Sequence, residues 1–297
     1  MAEAIPSGNG SRVIPHEVMR AVPGCENGEP PLSVTPLAGG ISNTTAQVRT
    51  TRGHFAVRVN ATGVEGLAID RQREVALHRV AAAAGLAPAV IVADPTGRFL
   101  ITEFVDGRAW TAACFSRAAD LRELAGRLRV LHSVTPPQVA PFDPATVLQD
   151  YVRIVRPDSQ DDRALLKELL DRGQRALDGS KPSTRTATIV HNDLDARNLI
   201  QNQRLVLIDW EYAQVGDPLM DLACVLSYYP QAAEHSRLLL SASGLQEHGA
   251  TFDMLSALAD WHRLISYLWC RARCRRDQLP ANQVDLERRI VGGAALR

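Results

Sequence analysis

The sequence predicts an α+β chain of two lobes: a small β-rich lobe with one main helix, then a larger lobe that is mostly helical. Three observations lead there. Short β-type runs crowd together after a Gly- and Pro-rich start. Leucines at helical spacing dominate the remainder. Between two of those helical stretches lie two further β runs, each ending in a polar cluster. At 297 residues there is room for two domains, or for one large domain with two lobes.

Taken in order, residues 1–31 are rich in Gly, Pro and polar side chains and read as loosely structured, with one short helix at His16–Arg20. Residues 32–105 form the small lobe. Its strands are expected at Leu32–Leu37, Thr45–Thr50 and His54–Asn60, separated by the turn residues Gly39-Gly40 and Thr51-Arg52-Gly53. Val64–Ala84 reads as the main helix, with Leu67, Asp70, Glu74, Leu77 and His78 along one side. Two more strands, Ala89–Val92 and Phe99–Phe104, are joined at Asp94-Pro95-Thr96-Gly97. Residues 106–297 form the large lobe. There Leu121, Leu124, Leu128 and Leu131 mark a helix with a candidate N-cap at Ser116. Leu165, Leu166, Leu169, Leu170 and Leu177 mark a second, and Leu255, Leu258, Ile265 and Leu268 mark a third over Met254–Arg273. The two β runs between the second and third are Thr188–Val190 and Leu205–Ile208.

Composition narrows the function classes. Thirty-three basic residues balance thirty-three acidic ones, so no bulk field draws the chain to nucleic acid or an anionic membrane. The N-terminus lacks the basic and apolar regions of a secretory signal. The most apolar stretch, Val80–Ala93, is broken by Gly85 and Pro88 and is too short to span a bilayer. Five cysteines (Cys25, Cys114, Cys224, Cys270, Cys274) form an odd set, as expected for reduced thiols of a soluble, cytoplasmic protein. Cys270 and Cys274 share a helix face, but no ligand cluster accompanies them, and they read as packing residues.

The chemistry is concentrated in Ile189-Val190-His191-Asn192-Asp193-Leu194-Asp195-Ala196-Arg197-Asn198, followed by Leu205-Val206-Leu207-Ile208-Asp209-Trp210-Glu211-Tyr212. A buried strand delivers a His-x-Asp turn, an Asn follows five residues after the Asp, and a second strand ends in another Asp. A lone Asp after a strand is usually a turn residue; the joint spacing is what carries information. Phosphoryl transfer needs one carboxylate near the attacking hydroxyl and a few oxygen ligands to hold Mg²⁺ on the phosphates. Asp193 suits the first role, and Asn198 and Asp209 suit the second. His191 reads as a brace for the turn. Paired carboxylates also serve glycoside hydrolysis, but no G-x-S-x-G nucleophile motif for ester hydrolysis is present.

His-Asn-Asp-x-x-x-x-Asn, then Ile-Asp-Trp-Glu-Tyr-Ala and Gly-Asp-Pro-x-x-Asp-Leu-Ala, resembles the signature of the aminoglycoside-phosphotransferase and choline/ethanolamine-kinase family over roughly residues 32–275. The resemblance implies a bilobal protein-kinase-like fold binding ATP and Mg²⁺, with Asp193 as catalytic base, Asn198 and Asp209 as metal ligands, and Asp221 bracing the catalytic loop. Asp217-Pro218 also reads locally as a helix start. By the same resemblance, Gly39-Gly40-Ile41-Ser42-Asn43 is the phosphate loop, although it is neither GxxxxGK[ST] nor GxGxxG, and Gly-Gly between strands is often a plain hairpin. Arg58 stands where protein kinases keep a Lys, and its planar fork matches phosphate oxygens. Glu74, sixteen residues on, is its expected ion-pair partner, with Asp70 a competitor one turn earlier. Glu103 and Val105 fall at the hinge, where backbone groups would pair with adenine.

The acceptor implied is a small-molecule alcohol, taken by a monomer or homodimer. Seven of the nine Trp and Tyr residues lie after position 200, and ring faces hold cationic groups well. Glu211, Tyr212, Trp261, Tyr267 and Trp269 are the expected acceptor-site residues, and choline or ethanolamine the favoured acceptor. Thiamine, amino sugars and aminoglycosides are the alternatives, as is a non-catalytic nucleotide-binding role. The sequence departs from choline kinases in one respect: they carry two Trp three residues apart on the C-terminal helix, whereas here Ser266 precedes Trp269 by three. A protein acceptor is disfavoured, because no Ala-Pro-Glu follows Asp209 and only twelve residues separate it from Asp221.

Overall fold

The computed structural model describes residues 14–37, 43–61, 69–155, 157, 159–180, 186–273 and 281–291. A short helix α1 (His16–Met19) leads into β1 (Ser33–Leu37), β2 (Thr44–Thr50) and β3 (Gly53–Val59). Helix α2 (Arg71–Ala83) follows, then β4 (Val90–Ala93) and β5 (Phe99–Glu103). The strands form one antiparallel sheet in the order β1-β2-β3-β5-β4.

Alternation along the strands gives the sheet two unlike faces. Ala46 lies opposite Val57, Val48 opposite Phe55, and Val57 opposite Ile101, so these apolar side chains share one face. Ile14, Val18, Val22 and Cys25 cover it, all buried. The loose structure expected of residues 1–31 therefore does not hold for 14–25. Three of these residues recur at intervals of four, and that helix-like spacing outweighs the local Gly and Pro content. The opposite parity on β3 carries Arg58 away from this apolar face.

Helix α2 begins at Asp70, whose Oδ1 accepts from the backbone N–H groups of Gln72 at 3.0 Å and Arg73 at 3.1 Å. The helix expected from Val64 thus starts at Arg71, and residues 62–68 lie outside the described part. The cap occupies Asp70, which leaves Glu74 on the buried side of the helix.

The large lobe contains β6 (Arg108–Ala109), α3 (Ala118–Ser133), α4 (Pro144–Ile154) and α5 (Gln160–Gly179), then β7 (Thr188–Val190), β8 (Leu199–Gln201), β9 (Leu205–Leu207) and β10 (Gln214–Gly216). It ends with α6 (Leu219–Tyr228), α7 (Ser236–Ala242), α8 (Phe252–Arg273) and α9 (Ala281–Val291). Ser116 does not cap α3. It is the last residue of a 3-10 turn, Ala112–Ser116, and Arg117 holds the cap position without a side-chain bond to the helix N–H groups.

The four expected leucines of α3 are fully buried, in one core with α6, α7 and the start of α8. A second core joins α4, α5 and the C-terminal half of α8 through Leu148, Leu169 and Leu264. There Arg271 donates two bonds of 2.9 Å to the buried carboxylate of Asp162. Two small antiparallel ribbons, β7 with β10 and β6-β8-β9, carry the polar loops to the edge of the small lobe.

Candidate active site

The loop after β7 turns sharply at Asn192, whose φ of +61° is left-handed, a conformation Asn tolerates better than most residues. Such a loop cannot satisfy its own N–H groups, and α6 does so for it. Asp221 Oδ1 accepts from the N–H groups of His191 and Asn192, both at 2.9 Å, while Oδ2 lies 2.9 Å from His132 Nε2. One turn later Cys224 Sγ accepts from Leu194 N–H at 3.2 Å. Another turn on, Tyr228 donates its hydroxyl to Asp193 Oδ1 at 2.9 Å. Tyr229 then accepts from Ala196 N–H at 2.7 Å and reaches Asp195 Oδ2 at 3.2 Å. Positions 221, 224 and 228 share one helix face, so α6 acts as a template for the loop.

His191 is locked in one tautomer. Its Nε2–H donates to the Ile208 carbonyl at 3.0 Å, and its Nδ1 accepts from Asp193 N–H at 3.3 Å. Burial pushes its pKa down to about 4, so the ring is neutral and holds the turn. Asp193 goes the other way: burial, then the charge of Asp209, raise it to about 7.

The β8–β9 hairpin brings Asn198 against Ile208, the residue before Asp209. Leu199 pairs with Leu207, which places the next residues outward, Asn198 and Ile208, side by side, and Ile208 N–H donates to Asn198 O at 2.9 Å. The Asn198 amide nitrogen donates to Asp193 Oδ2 at 2.9 Å and to Asp193 O at 3.0 Å, leaving its Oδ1 as a spare acceptor. Asp209, at a left-handed φ of +62°, has its pKa raised by burial, against the opposing charge of Arg58. Asn198 Oδ1 and the Asp209 carboxylate are hard oxygens of the kind that suits Mg²⁺, which takes few protein groups and keeps water and phosphate for the rest.

Arg58 ties the lobes together. It donates to Glu74 Oε1, to Asp209 Oδ1 at 3.0 Å and to Asn60 Oδ1 at 2.8 Å. Glu74 also accepts from Arg71 at 2.8 Å, and the same guanidinium nitrogen donates to Glu211 Oε2 at 2.9 Å. Asn43 donates to Glu211 Oε2 at 2.8 Å. Glu211 therefore sits in the network between the lobes, bonded to Arg71 and Asn43, and not in the acceptor site expected for it. Gly39, Gly40 and Ser42 lie outside the described residues. At the hinge, Glu103 N–H donates to Ala89 O and Phe104 N–H to His54 O, each at 3.0 Å; the Glu103 side chain is exposed and Val105 half-buried.

A small cavity opens beside Asn192. Phe142, Tyr151, Tyr212, Gln214, Trp261 and His262 are among the residues that line it. Of the acceptor candidates, Tyr212 and Trp261 lie here, and Trp269 braces Tyr212 by donating its Nε1–H to the phenol oxygen at 2.7 Å. Tyr267 does not. It is fully buried in the second core and bonded to Glu287 and Arg271, because positions 261 and 267 point to different sides of α8. Sequence reasoning missed Arg71, Tyr228, Gln214 and His262. Only Tyr228 had a readable signal, its seven-residue spacing from Asp221 once a helix is drawn from Asp217.

Residues 33–264 match the model of the phosphotransferase enzyme family. Protein LicA of Haemophilus influenzae is 32% identical over 91 residues, a match spanning 28% of this chain and only 34% of that protein. Among solved structures, choline kinase LicA from Streptococcus pneumoniae superposes with a TM-score of 0.75 at 20% identity, covering 91% of this chain and 95% of that one. A choline/ethanolamine kinase family protein from Mesorhizobium loti gives 0.68 at 21% identity, covering 94% and 90%. These likenesses show the kinase-like fold, and the family match extends over most of the chain. The loop that presents Asp193, the β8–β9 hairpin between Asn198 and Asp209 and the Arg58–Glu74 pair accordingly belong to a member of the phosphotransferase enzyme family.

Proposed function

We propose that this chain transfers the γ-phosphate of ATP to the hydroxyl of a small cationic alcohol, choline or ethanolamine before thiamine, an amino sugar or an aminoglycoside. The observation that carries this reading is the position of Asp193. Its carboxylate is bonded to Asn198 on one oxygen and to Tyr228 on the other, and the next residue back in the chain, Asn192, lines an aromatic cavity. Ring faces without a lining carboxylate suit a compact cation. The names of the similar proteins, choline kinase and choline/ethanolamine kinase family protein, point the same way.

In the reaction, the acceptor oxygen bonds to the γ-phosphorus as the β,γ-bridging P–O bond breaks. The hydroxyl proton passes to Asp193, and ADP leaves. Arg58, steadied by Glu74, holds phosphate oxygens. Asn198 Oδ1 and the Asp209 carboxylate would hold Mg²⁺, which supplies charge neutralisation on the phosphates. The backbone around Glu103 and Val105 would take the adenine edge, and Gly39, Gly40, Ser42 and Asn43 would contact the phosphates.

The test is ADP release with Mg²⁺-ATP across choline, ethanolamine, thiamine, amino sugars and aminoglycosides, for the wild type and Asp193→Asn. An amino alcohol should give a clear rate, lost by at least about a hundredfold in the variant while nucleotide still binds. Wild-type turnover in Asp193→Asn would remove this mechanism. Silence with every acceptor while ATP still binds would favour a non-catalytic role.

A further inference from the structure

Among the described residues, seven buried side-chain nitrogen or oxygen atoms have no hydrogen-bond partner, and three of them belong to residues that line the cavity beside Asp193: Asn192 Oδ1, Trp261 Nε1 and His262 Nδ1. Native proteins satisfy nearly all such atoms, so three gathered around one cavity point to a ligand that completes them. A fourth group strengthens the case. Gln214 is only 4% exposed, lines the same cavity, and its side-chain amide enters no hydrogen bond among the described residues.

The chemistry of these groups is selective. His262 donates its Nε2–H to Asn192 O at 3.3 Å, which leaves Nδ1 as an acceptor. Asn192 directs its amide nitrogen toward Tyr212 O at 3.4 Å, so the open atom is again an acceptor, Oδ1. The Gln214 amide offers both an acceptor oxygen and an NH2 donor. Trp261 Nε1–H, the third open atom, is a donor that a ligand oxygen can meet. The two open acceptors call for a ligand that also brings donors, and a trimethylammonium group brings none. An ammonium with N–H bonds brings one to three, and the rings of Tyr212 and Trp261 serve its charge equally well. The register fits a short molecule: Gln214 pairs with Val190, immediately before the catalytic loop, and Asn192 adjoins Asp193. A ligand with its hydroxyl at Asp193 and its nitrogen at Gln214 and Asn192 would be a small amino alcohol.

We propose that the acceptor of this enzyme is an amino alcohol whose nitrogen carries at least one N–H, and that Gln214, with Asn192, is the residue that rejects its fully methylated counterpart. This inference rests on the proposed small-cation kinase reading. A site built to hydrogen-bond a substrate group discriminates strongly against the analogue that lacks it, because its own polar atoms are then left unpaired.

The experiment is a methylation series: kcat/KM of the wild type for ethanolamine, N-methylethanolamine, N,N-dimethylethanolamine and choline, with calorimetric binding of ethanolamine and choline alongside. The first three keep an N–H when protonated, and choline has none. We expect kcat/KM to fall by at least about tenfold at the last methylation, with weaker binding of choline to match. Gln214→Leu should lower kcat/KM for ethanolamine by about tenfold, leave that for choline within about twofold, and leave KM for ATP unchanged. Choline used as well as ethanolamine by the wild type would overturn the inference while upholding the small-cation reading, and so would an equal loss on all four alcohols in Gln214→Leu. No ADP release with any of the four would overturn both. The wild-type series stands even if the variant fails to fold.

Discussion

Asp193 has no free oxygen in the resting site. Asn198 donates to one and Tyr228 to the other, so the approaching alcohol must share an oxygen with one of them. Tyr228 is thus a positioning residue: it fixes the carboxylate rotamer and stabilises its charged form against burial. Tyr228→Phe should lower kcat by about ten- to a hundredfold, the range of one hydrogen bond to a charged group, with KM for ATP unchanged. The decisive measurement is a double-mutant cycle. In an Asp193→Asn background the same substitution should cost almost nothing further, whereas a purely structural role would lower activity in both backgrounds alike. The contrast between these two residues explains what a sequence can show at this scale. Asp193, Asn198 and Asp209 were legible because a turn and one tight hairpin bring them together, so their chain spacing reports their spatial spacing. Tyr228 reaches the site through the pitch of a helix, and Gln214 through a strand pairing between residues 190 and 214; neither has a local signature. Glu211 and Tyr267 were misplaced for the matching reason, since residue type alone does not say which way a loop or a helix face points.

Among the elements, α6 and the N-terminal segment behaved least as expected, for opposite reasons. Leu219–Leu226 is buried on every side, so α6 has no polar stripe and no hydrophobic period to read, although the Asp217 carboxylate capping Leu219 N–H at 2.9 Å marks its start. The N-terminal segment does have a period, Ile14, Val18 and Val22, but it is hidden among Gly, Pro and polar residues. The five strands of the small sheet were legible to within about a residue, because alternation survives wherever one sheet face is covered and the other is not, whereas the short strands β6, β8 and β10 were not read. Val18 is 4% exposed against that face. Val18→Asp would bury an unpaired carboxylate there, and we expect a loss of about 3 kcal/mol in unfolding free energy by urea titration. Phe252→Asp, at a residue 48% exposed, is the control and should change stability by less than about 0.5 kcal/mol. Equal stability of Val18→Asp and the wild type would mean that residues 14–25 do not cover the sheet in solution.

At the scale of the whole molecule, one charge network spans the two lobes and a set of neutral histidines lies beneath it. Glu211→Gln removes the charge that Arg71 and Asn43 share across the cleft, and should raise KM for ATP by about fivefold, roughly 1 kcal/mol, with kcat changed less. The histidines set the acid limit of the fold. His78, His191 and His262 are held by burial at about 4, below their ordinary 6.5. As the pH falls from 6.5 toward 4 the unfolded chain takes up these three protons first, and stability is lost over that window. Asp193 acts in the opposite sense. Its folded pKa of about 7 exceeds the ordinary 3.8, so between those values the folded chain holds the extra proton, and stability is gained as the pH falls. Asp209 is shifted in the same direction. Near pH 5, unfolding would then take up three protons on histidines and release up to two from carboxylates, a net of one, or about 1.4 kcal/mol lost per pH unit. Asp193→Asn deletes one opposing proton and should roughly double that slope. Urea midpoints of the two proteins between pH 6.5 and 4.5, in EDTA without nucleotide, measure it directly. Coincident slopes would mean that Asp193 titrates as an ordinary carboxylate, and that the bonds from Tyr228 and Asn198 offset the whole cost of burying it.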